Sequence, residues 1–299
     1  MQFELTPKSR ELLKKIQGQP QLNTWVGGGD AIGVARSGMN AVLANAPINS
    51  KMRCLDYGSG VGRVSVALAQ YLEHGVLIGA DIIPQLVDFC KSEISPVYHN
   101  ASFQLIEDEN PLYDKKKAIA DRSKSPRDFF AEHRKYFDLI VSYSVFTHFT
   151  PDMATRYLDF FHYALANSGS ILISAFIDTP RNPFNRRLLK GEEFRDAIPE
   201  EPLLFALFNW RTLERIFHRS GFQVSKVVYG SWRNKYKLPE SMYHGTHYQD
   251  LIVATKIPAL TADFDDDAYL KANPGLDLGG LRPAEHYLQY GFYENRRLV

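Results

Sequence analysis

Between Met52 and Ile94 the chain alternates twice between a short apolar run and a helical repeat, and no other feature limits the fold as strongly. MRCLDYGSG is apolar and ends in a glycine turn, VGRVSVALAQYL has helical spacing, GVLIGADI is a second apolar run, and PQLVDFCKSEI is a second helix opened by Pro84. Consecutive strands joined through a helix need a crossover, so the rhythm predicts a parallel sheet covered by helices.

The rhythm continues downstream. ASFQLIED reads as a third strand, FDLIVSYSVF as a fourth, PDMATRYLDFFHYAL as a helix and GSILISAFI as a fifth strand. RTLERIFHRSG is a helix closed by Gly221, and FQVSKVVYG and YQDLIVATK are two last strands suited to an antiparallel hairpin at one edge. The expected fold is therefore α/β, a Rossmann-like seven-stranded, mostly parallel sheet with a terminal antiparallel hairpin. Two segments interrupt it: a charged insertion at 114–135, read as solvated surface, and a long connection at 178–209, read as a substrate cap. At the N-terminus, KSRELLKKIQ is a short amphipathic helix, and three consecutive glycines open a helical run ending at Pro47.

A chain of 299 residues is near the limit for one hydrophobic core, which favours one large domain with an appendage. We place the arm at 1–24, the main domain at 25–257 and a small aromatic-rich helical module at 264–299. With 35 Lys+Arg against 34 Asp+Glu, the chain lacks the charge of a non-specific nucleic-acid binder, so no nucleic acid is expected. No apolar run approaches the ~20 residues of a membrane span, and the first seventeen residues carry charges throughout, so a cytoplasmic protein without a transmembrane segment is expected. Cys54 and Cys90 have no CxxC partner, and no His, Cys and Asp cluster has ligand spacing; no metal is expected.

The chemistry concentrates in Leu55-Asp56-Tyr57-Gly58-Ser59-Gly60-Val61-Gly62-Arg63, between a strand and a helix. Glycines let the backbone turn sharply and let a ligand approach, and a helix N-terminus offers free N–H groups. The third glycine comes one residue too early for a dinucleotide fingerprint, with Arg63 where that pattern needs a small residue. Asp56 would repel a pyrophosphate but can accept a hydrogen bond from an ammonium group, so the expected ligand is nucleotide-like and carries a cationic amine. Asp81, ending the second strand, is placed to take both ribose hydroxyls, and Glu107 or Asp108, ending the third, to meet an adenine amine.

These residues resemble the first motif of class I S-adenosylmethionine-dependent methyltransferases, of the form acid-x-Gly-x-Gly-x-Gly, over about residues 25–257. Ser144-Val145-Phe146-Thr147-His148 is similar to a signature of one subgroup, from whose usual first motif Ser59 departs mildly. The resemblance implies S-adenosyl-L-methionine as cofactor, held by Asp56, Tyr57, Gly58, Ser59, Gly60, Gly62, Asp81, Ile82, Glu107, Asp108 and Ser142.

Methyl transfer from a sulfonium is an in-line displacement that needs an aimed acceptor, and a hydroxyl acceptor also needs a base. His148 lies just past the fourth strand, and imidazole is the side chain whose unperturbed pKa suits that task; a structural role within its loop is the other reading. Asp178, Arg181 and Arg186, in the connection after strand five, are the candidate acceptor-binding residues, with Arg187 as a third arginine. His244 and His247, beside Tyr243 and Tyr248, read as packing residues.

The C-terminal segment holds Tyr269, Tyr287, Tyr290, Phe292 and Tyr293 in too few residues for a core of its own, so it must pack on the main domain or on a protein partner. It resembles a module found on bacterial surface-glycan glycosyltransferases. The functional expectation is O-methylation of a sugar hydroxyl of a bacterial glycan or glycan precursor. Methylation of a small metabolite, lipid or protein side chain, and a non-catalytic cofactor-binding scaffold, stay open.

Overall fold

The computed structural model describes residues 2–107, 123–178, 194–196, 205–232, 248–257 and 265–287. Three helices lead in: α1 (Pro7–Gln17), α2 (Pro20–Trp25) and α3 (Ala31–Asn45). The alternating part runs β1 (Arg53–Tyr57), α4 (Arg63–Tyr71), β2 (Val76–Asp81), α5 (Pro84–Phe89) and β3 (Ala101–Leu105), with a π-helical turn, Cys90–Ile94, extending α5. It continues through α6 (Pro126–Glu132), β4 (Phe137–Ser142), a 3-10 turn at Phe146–His148, α7 (Pro151–Ala164) and β5 (Leu165–Asp178). After these come β6 (Phe194–Asp196), β7 (Ala206–Asn209), α8 (Trp210–Arg219), β8 (Phe222–Val228), β9 (Asp250–Lys256), α9 (Asp266–Ala272) and α10 (Pro283–His286).

The central order is β3-β2-β1-β4-β5, all parallel, and β9 then pairs antiparallel with both β5 and β8. All seven expected strands are present. The described residues add β6 and β7, which occupy part of the predicted cap: β7 pairs parallel with the last residues of β5, Phe176–Asp178, just beyond the stretch Ser170–Ala175 taken by β9.

Both faces of the sheet are buried, and period-two alternation assigns side chains to each. Cys54, Leu139, Val141, Leu172, Leu251 and Val253 face the layer of α1, α3, α4 and α5, whereas Leu55, Ile140, Ile171, Ile173 and Ile252 face α6, α7 and α8. Helix α1 belongs to the first layer, since Leu12, Leu13 and Ile16 are buried in the same cluster as the sheet residues. The boundary expected between residues 24 and 25 thus falls inside α2, and the arm is part of the core.

The charged insertion also differs from its expected solvated state. Helix α6, capped by the Ser125 hydroxyl, buries Phe129 and Phe130, Phe130 packing on Tyr57, Phe160 and Phe161, while its charged Arg127, Asp128 and Glu132 are exposed; residues 114–122 lie outside the described residues. In the C-terminal module the Tyr269 hydroxyl and His286 Nδ1 are 3.1 Å apart, and Tyr287 packs on His218 of α8 with ring centroids 6.3 Å apart. The module therefore packs on the main domain, with Tyr290, Phe292 and Tyr293 outside the described residues. Among the described residues no helix is long and apolar enough to cross a membrane.

Candidate active site

A cavity of about 880 Å³ opens along the C-terminal ends of the parallel strands, where the order reverses between β1 and β4. This is where open α/β sheets bind ligands, and the volume is that of a small-molecule site. Following the sheet, its wall is made by Asp81 from β2, Asp56 to Gly60 from β1 and its loop, Tyr143, Ser144, Val145, Thr147 and His148 after β4, Phe176 from β5 and Gln249 before β9.

The glycine loop is built from local contacts. Gly58, Gly60 and Gly62 have φ of 78°, 55° and 83°, in the left-handed region that favours glycine. At Gly58 a Cβ would also collide with Val145, so the Val of the Ser-Val-Phe-Thr-His segment packs directly on the loop. Four N–H groups of the loop are engaged within the protein. Gly58 and Ser59 donate to the Ala80 carbonyl at 2.7 and 3.0 Å, Gly62 to the Ser59 carbonyl at 2.9 Å, and Gly60 to Asp81 Oδ2 at 2.7 Å. Beside those engaged donors, Asp56 and Asp81 add carboxylate acceptors to the wall.

Two carboxylates sharpen that character. Asp56 is buried, accepts the Ser65 hydroxyl at 2.5 Å, and is pushed up to about 6, first by burial and further by Asp81, with the Ser65 bond opposing. Burial also raises Asp81, against the backbone bonds from Ile83 and Gly60. Both carboxylates would gain from a cation nearby. Two buried hydroxyls on the wall, Ser59 Oγ and Thr147 Oγ1, have no partner among the described residues, a state that proteins rarely leave unanswered. An ammonium-bearing, hydroxyl-bearing ligand fits these carboxylates and hydroxyls; a pyrophosphate would face the two carboxylates.

The other expected residues divide clearly. Ile82 and His148 line the cavity, His148 half-buried with its N–H donated to the Val145 carbonyl at 2.9 Å. Tyr57 also borders it, but its ring packs on Phe130, Tyr157 and Phe161 in the opposite layer. Ser142 is fully buried and absent from the wall. In β4, Leu139 and Val141 face the α1, α3, α4 and α5 layer, so alternation turns Ser142 away with Ile140 and brings Tyr143 to the cavity side, its hydroxyl donating to the Gly38 carbonyl at 2.9 Å. Glu107 is exposed and off the wall, because β3 ends at Leu105 and Ile106 bridges to Lys124. Asp178 pairs with Asn209 of β7 and is off the wall as well. Asp108, Arg181, Arg186, Arg187, Tyr243, His244 and His247 lie outside the described residues.

Several wall residues escaped the sequence reading. Thr24 to Gly28 approach from the N-terminal segment, and Phe205 and Tyr248 stand beside Phe176. Tyr248 is 56% exposed, with its ring edge-on to Phe176. Ser144 holds a left-handed φ of 58°; its N–H donates to Ser174 Oγ at 2.7 Å, and Gln249 Nε2 donates to its hydroxyl at 2.8 Å. This small network fixes the turn that carries His148. Among the described residues no group of three or more His, Cys, Asp or Glu could hold a metal ion.

A family model described as a methyltransferase domain matches residues 34–227. The fold is similar to that of an S-adenosylmethionine-dependent methyltransferase from Leishmania major, at 15% identity and TM-score 0.51 over 83% of this chain and 82% of that one. It is similar also to phosphoethanolamine N-methyltransferase 1 of Haemonchus contortus, solved with phosphoethanolamine and S-adenosylhomocysteine, at 13% identity and TM-score 0.51 over 96% of this chain and 54% of that one.

Proposed function

Since this chain belongs to the methyltransferase-domain family and is an S-adenosylmethionine-dependent methyltransferase, we propose that it O-methylates a sugar hydroxyl of a glycan or glycan precursor. The observation that carries this reading is the make-up of the cavity end between β4, β5 and β9. There Phe176, Phe205 and the exposed Tyr248 offer aromatic surface, and Ser144, Gln249 and His148 offer hydroxyl, amide and imidazole groups. A sugar has that dual character, apolar on its C–H face and polar at its hydroxyls. Among the described residues the one Lys or Arg on the wall is Arg63, at the opposite, cofactor end.

At the cofactor end, Asp56, Ser59, the glycine loop and Asp81 are the residues that hold S-adenosylmethionine in this reading, which when bound supplies an electrophilic methyl group. Asp56 and Asp81 answer its cationic part and its hydroxyls. The rings of Phe176, Phe205 and Tyr248 orient the acceptor and keep water from the reacting atoms. His148 takes the proton from the acceptor hydroxyl, and the turn held by Ser144, Ser174 and Gln249 aims it.

The test is release of S-adenosylhomocysteine and mass-spectrometric detection of the transferred methyl with a panel of glycans and nucleotide sugars, run against phosphoethanolamine, small phenols and amines. Methylated sugar from the wild type, with turnover lowered about 10²–10⁴-fold in His148→Ala at unchanged cofactor affinity, is expected for a general base. Turnover with amines or phenols alone would refute the sugar assignment, and unchanged turnover in His148→Ala would remove His148 as base.

A further inference from the structure

Arg63 begins α4 next to the glycine loop, yet its guanidinium reaches the N-terminal segment. Nη1 donates to the Gly28 carbonyl at 2.5 Å and to Asn23 Oδ1 at 3.4 Å, and Nη2 donates to the Val26 carbonyl at 2.5 Å. Asn23 is itself buried and donates from Nδ2 to the Gly29 carbonyl at 3.0 Å, so arginine, asparagine and loop form one network. The charge is half-buried without a carboxylate partner among the described residues, and burial brings its pKa down to about 10. The protein thus places an uncompensated guanidinium here to hold main-chain carbonyls.

What those carbonyls belong to matters for the ligand. Thr24, Trp25, Val26, Gly27 and Gly28 line the cavity, and a Cβ on Gly60 would run into Val26, so the segment lies directly on the glycine loop. Gly27, Gly28 and Gly29 have φ of 85°, 66° and 86°, and a Cβ on any of them would meet nothing within 4 Å. Packing therefore does not explain these three glycines; a run of left-handed backbone does, turning the chain from α2 back towards α3. The turn exposes the carbonyls of Val26 and Gly28 to one planar fork, a geometry that guanidinium matches and ammonium does not.

We propose that Arg63 is a positioning residue for S-adenosylmethionine, acting through the segment Asn23–Gly29, which it clamps over the cofactor end of the cavity and which must release for cofactor product to leave. The proposal is independent of the acceptor. The experiment uses the full chain as wild type, Arg63→Met and Arg63→Lys, with S-adenosylhomocysteine as probe. Amide hydrogen exchange at residues 23–29 and the dissociation rate of S-adenosylhomocysteine are measured together, with thermal melting as a check on folding. In Arg63→Met we expect faster exchange confined to 23–29 and dissociation about tenfold faster with association little changed. Arg63→Lys, which keeps the charge and the fold but loses the fork, is expected to shift both readouts in the same direction by a smaller amount. Unchanged exchange at 23–29 in both variants, or faster exchange with an unchanged dissociation rate, would overturn the clamp. So would a lysine variant that behaves as wild type while Arg63→Met loses affinity, because that pattern belongs to an arginine acting only as a counter-charge to the ligand.

Discussion

Asp81 Oδ2, at the end of β2, accepts the backbone N–H of Gly60 in the loop after β1 at 2.7 Å, while Oδ1 accepts that of Ile83 at 3.0 Å. The side chain assigned to the cofactor ribose is therefore also the brace of the glycine loop. Asp81→Asn retains one acceptor oxygen and sets an amide against the other N–H. Leaving that donor unsatisfied costs about 1–3 kcal/mol, so we expect lower apo stability in urea denaturation together with cofactor affinity reduced about 10–100-fold. Wild-type apo stability in Asp81→Asn would show that the brace contributes nothing.

Asp56 yields a pH dependence. Its folded pKa of about 6 stands above the ordinary carboxylate value, so between about pH 4 and pH 6 the folded apo protein holds a proton that the unfolded chain has released. Its contribution to apo stability is present below that window and is lost as pH rises through about 6. A bound cation favours the carboxylate and lowers the pKa, so binding releases a proton. S-adenosylmethionine affinity is expected to fall about tenfold per unit as pH drops below about 6, and Asp56→Asn to bind weakly with a flat profile across the same range. Calorimetry in buffers of different ionisation enthalpy checks this; wild-type affinity constant from about pH 5 to about pH 7 contradicts it.

Gly58 and Val145 form a pair suited to a double-mutant cycle. Gly58→Ala meets both a left-handed φ of 78° and the Val145 side chain. The backbone part, about 1–2 kcal/mol, stays whatever Val145 becomes, whereas the collision is relieved by Val145→Ala. The double variant should therefore be more stable than the sum of the two single effects allows. Simple additivity in urea denaturation would mean that the two residues do not touch.

Lys256 is buried and donates from Nζ to the His162 carbonyl at 2.6 Å and the Leu165 carbonyl at 2.9 Å, tying the end of α7 to the start of β5. Burial first, then the nearby Lys135 and Arg134, lower its pKa to about 8. Between that value and the ordinary lysine value the unfolded chain binds more protons, so this group adds stability as pH rises through the window. Lys256→Met is expected to lose about 1–3 kcal/mol at neutral pH and to lose that rise. Denaturation at about pH 7 and about pH 9.5 decides it; a variant whose stability climbs like the wild type's assigns the rise to another group.

How much was legible in the sequence depends on how far apart the contacting residues lie. The turn from β1 into α4 is made by neighbours in the chain, so Asp56, the three glycines and the placement of Asp81 could be read from spacing. Ser142 and Tyr143 could not be told apart, since the choice between them rests on which face of β4 meets α3, and strand register across a parallel sheet has no local marker. Glu107 went the same way: the bridge from Ile106 to Lys124 ties the end of β3 to a residue within the charged insertion, and Glu107 stands off the cavity wall.

The sequence by itself determined the alternating architecture, the position of the glycine loop with its acidic partners Asp56 and Asp81, and the class of ligand they suit, because hydrophobic period and turn chemistry are properties of short windows. Only the tertiary structure decided who else stands at the cavity: Val26 on Gly60, Arg63 turned towards Gly28, and Phe176, Tyr248 and Gln249 gathered at the acceptor end. Those residues converge from the turn after α2, the start of α4, β5 and the segment leading into β9, which inserts antiparallel between β5 and β8. Such pairings are settled by packing of the whole sheet against both helical layers, a non-local free energy that no short stretch of chain records.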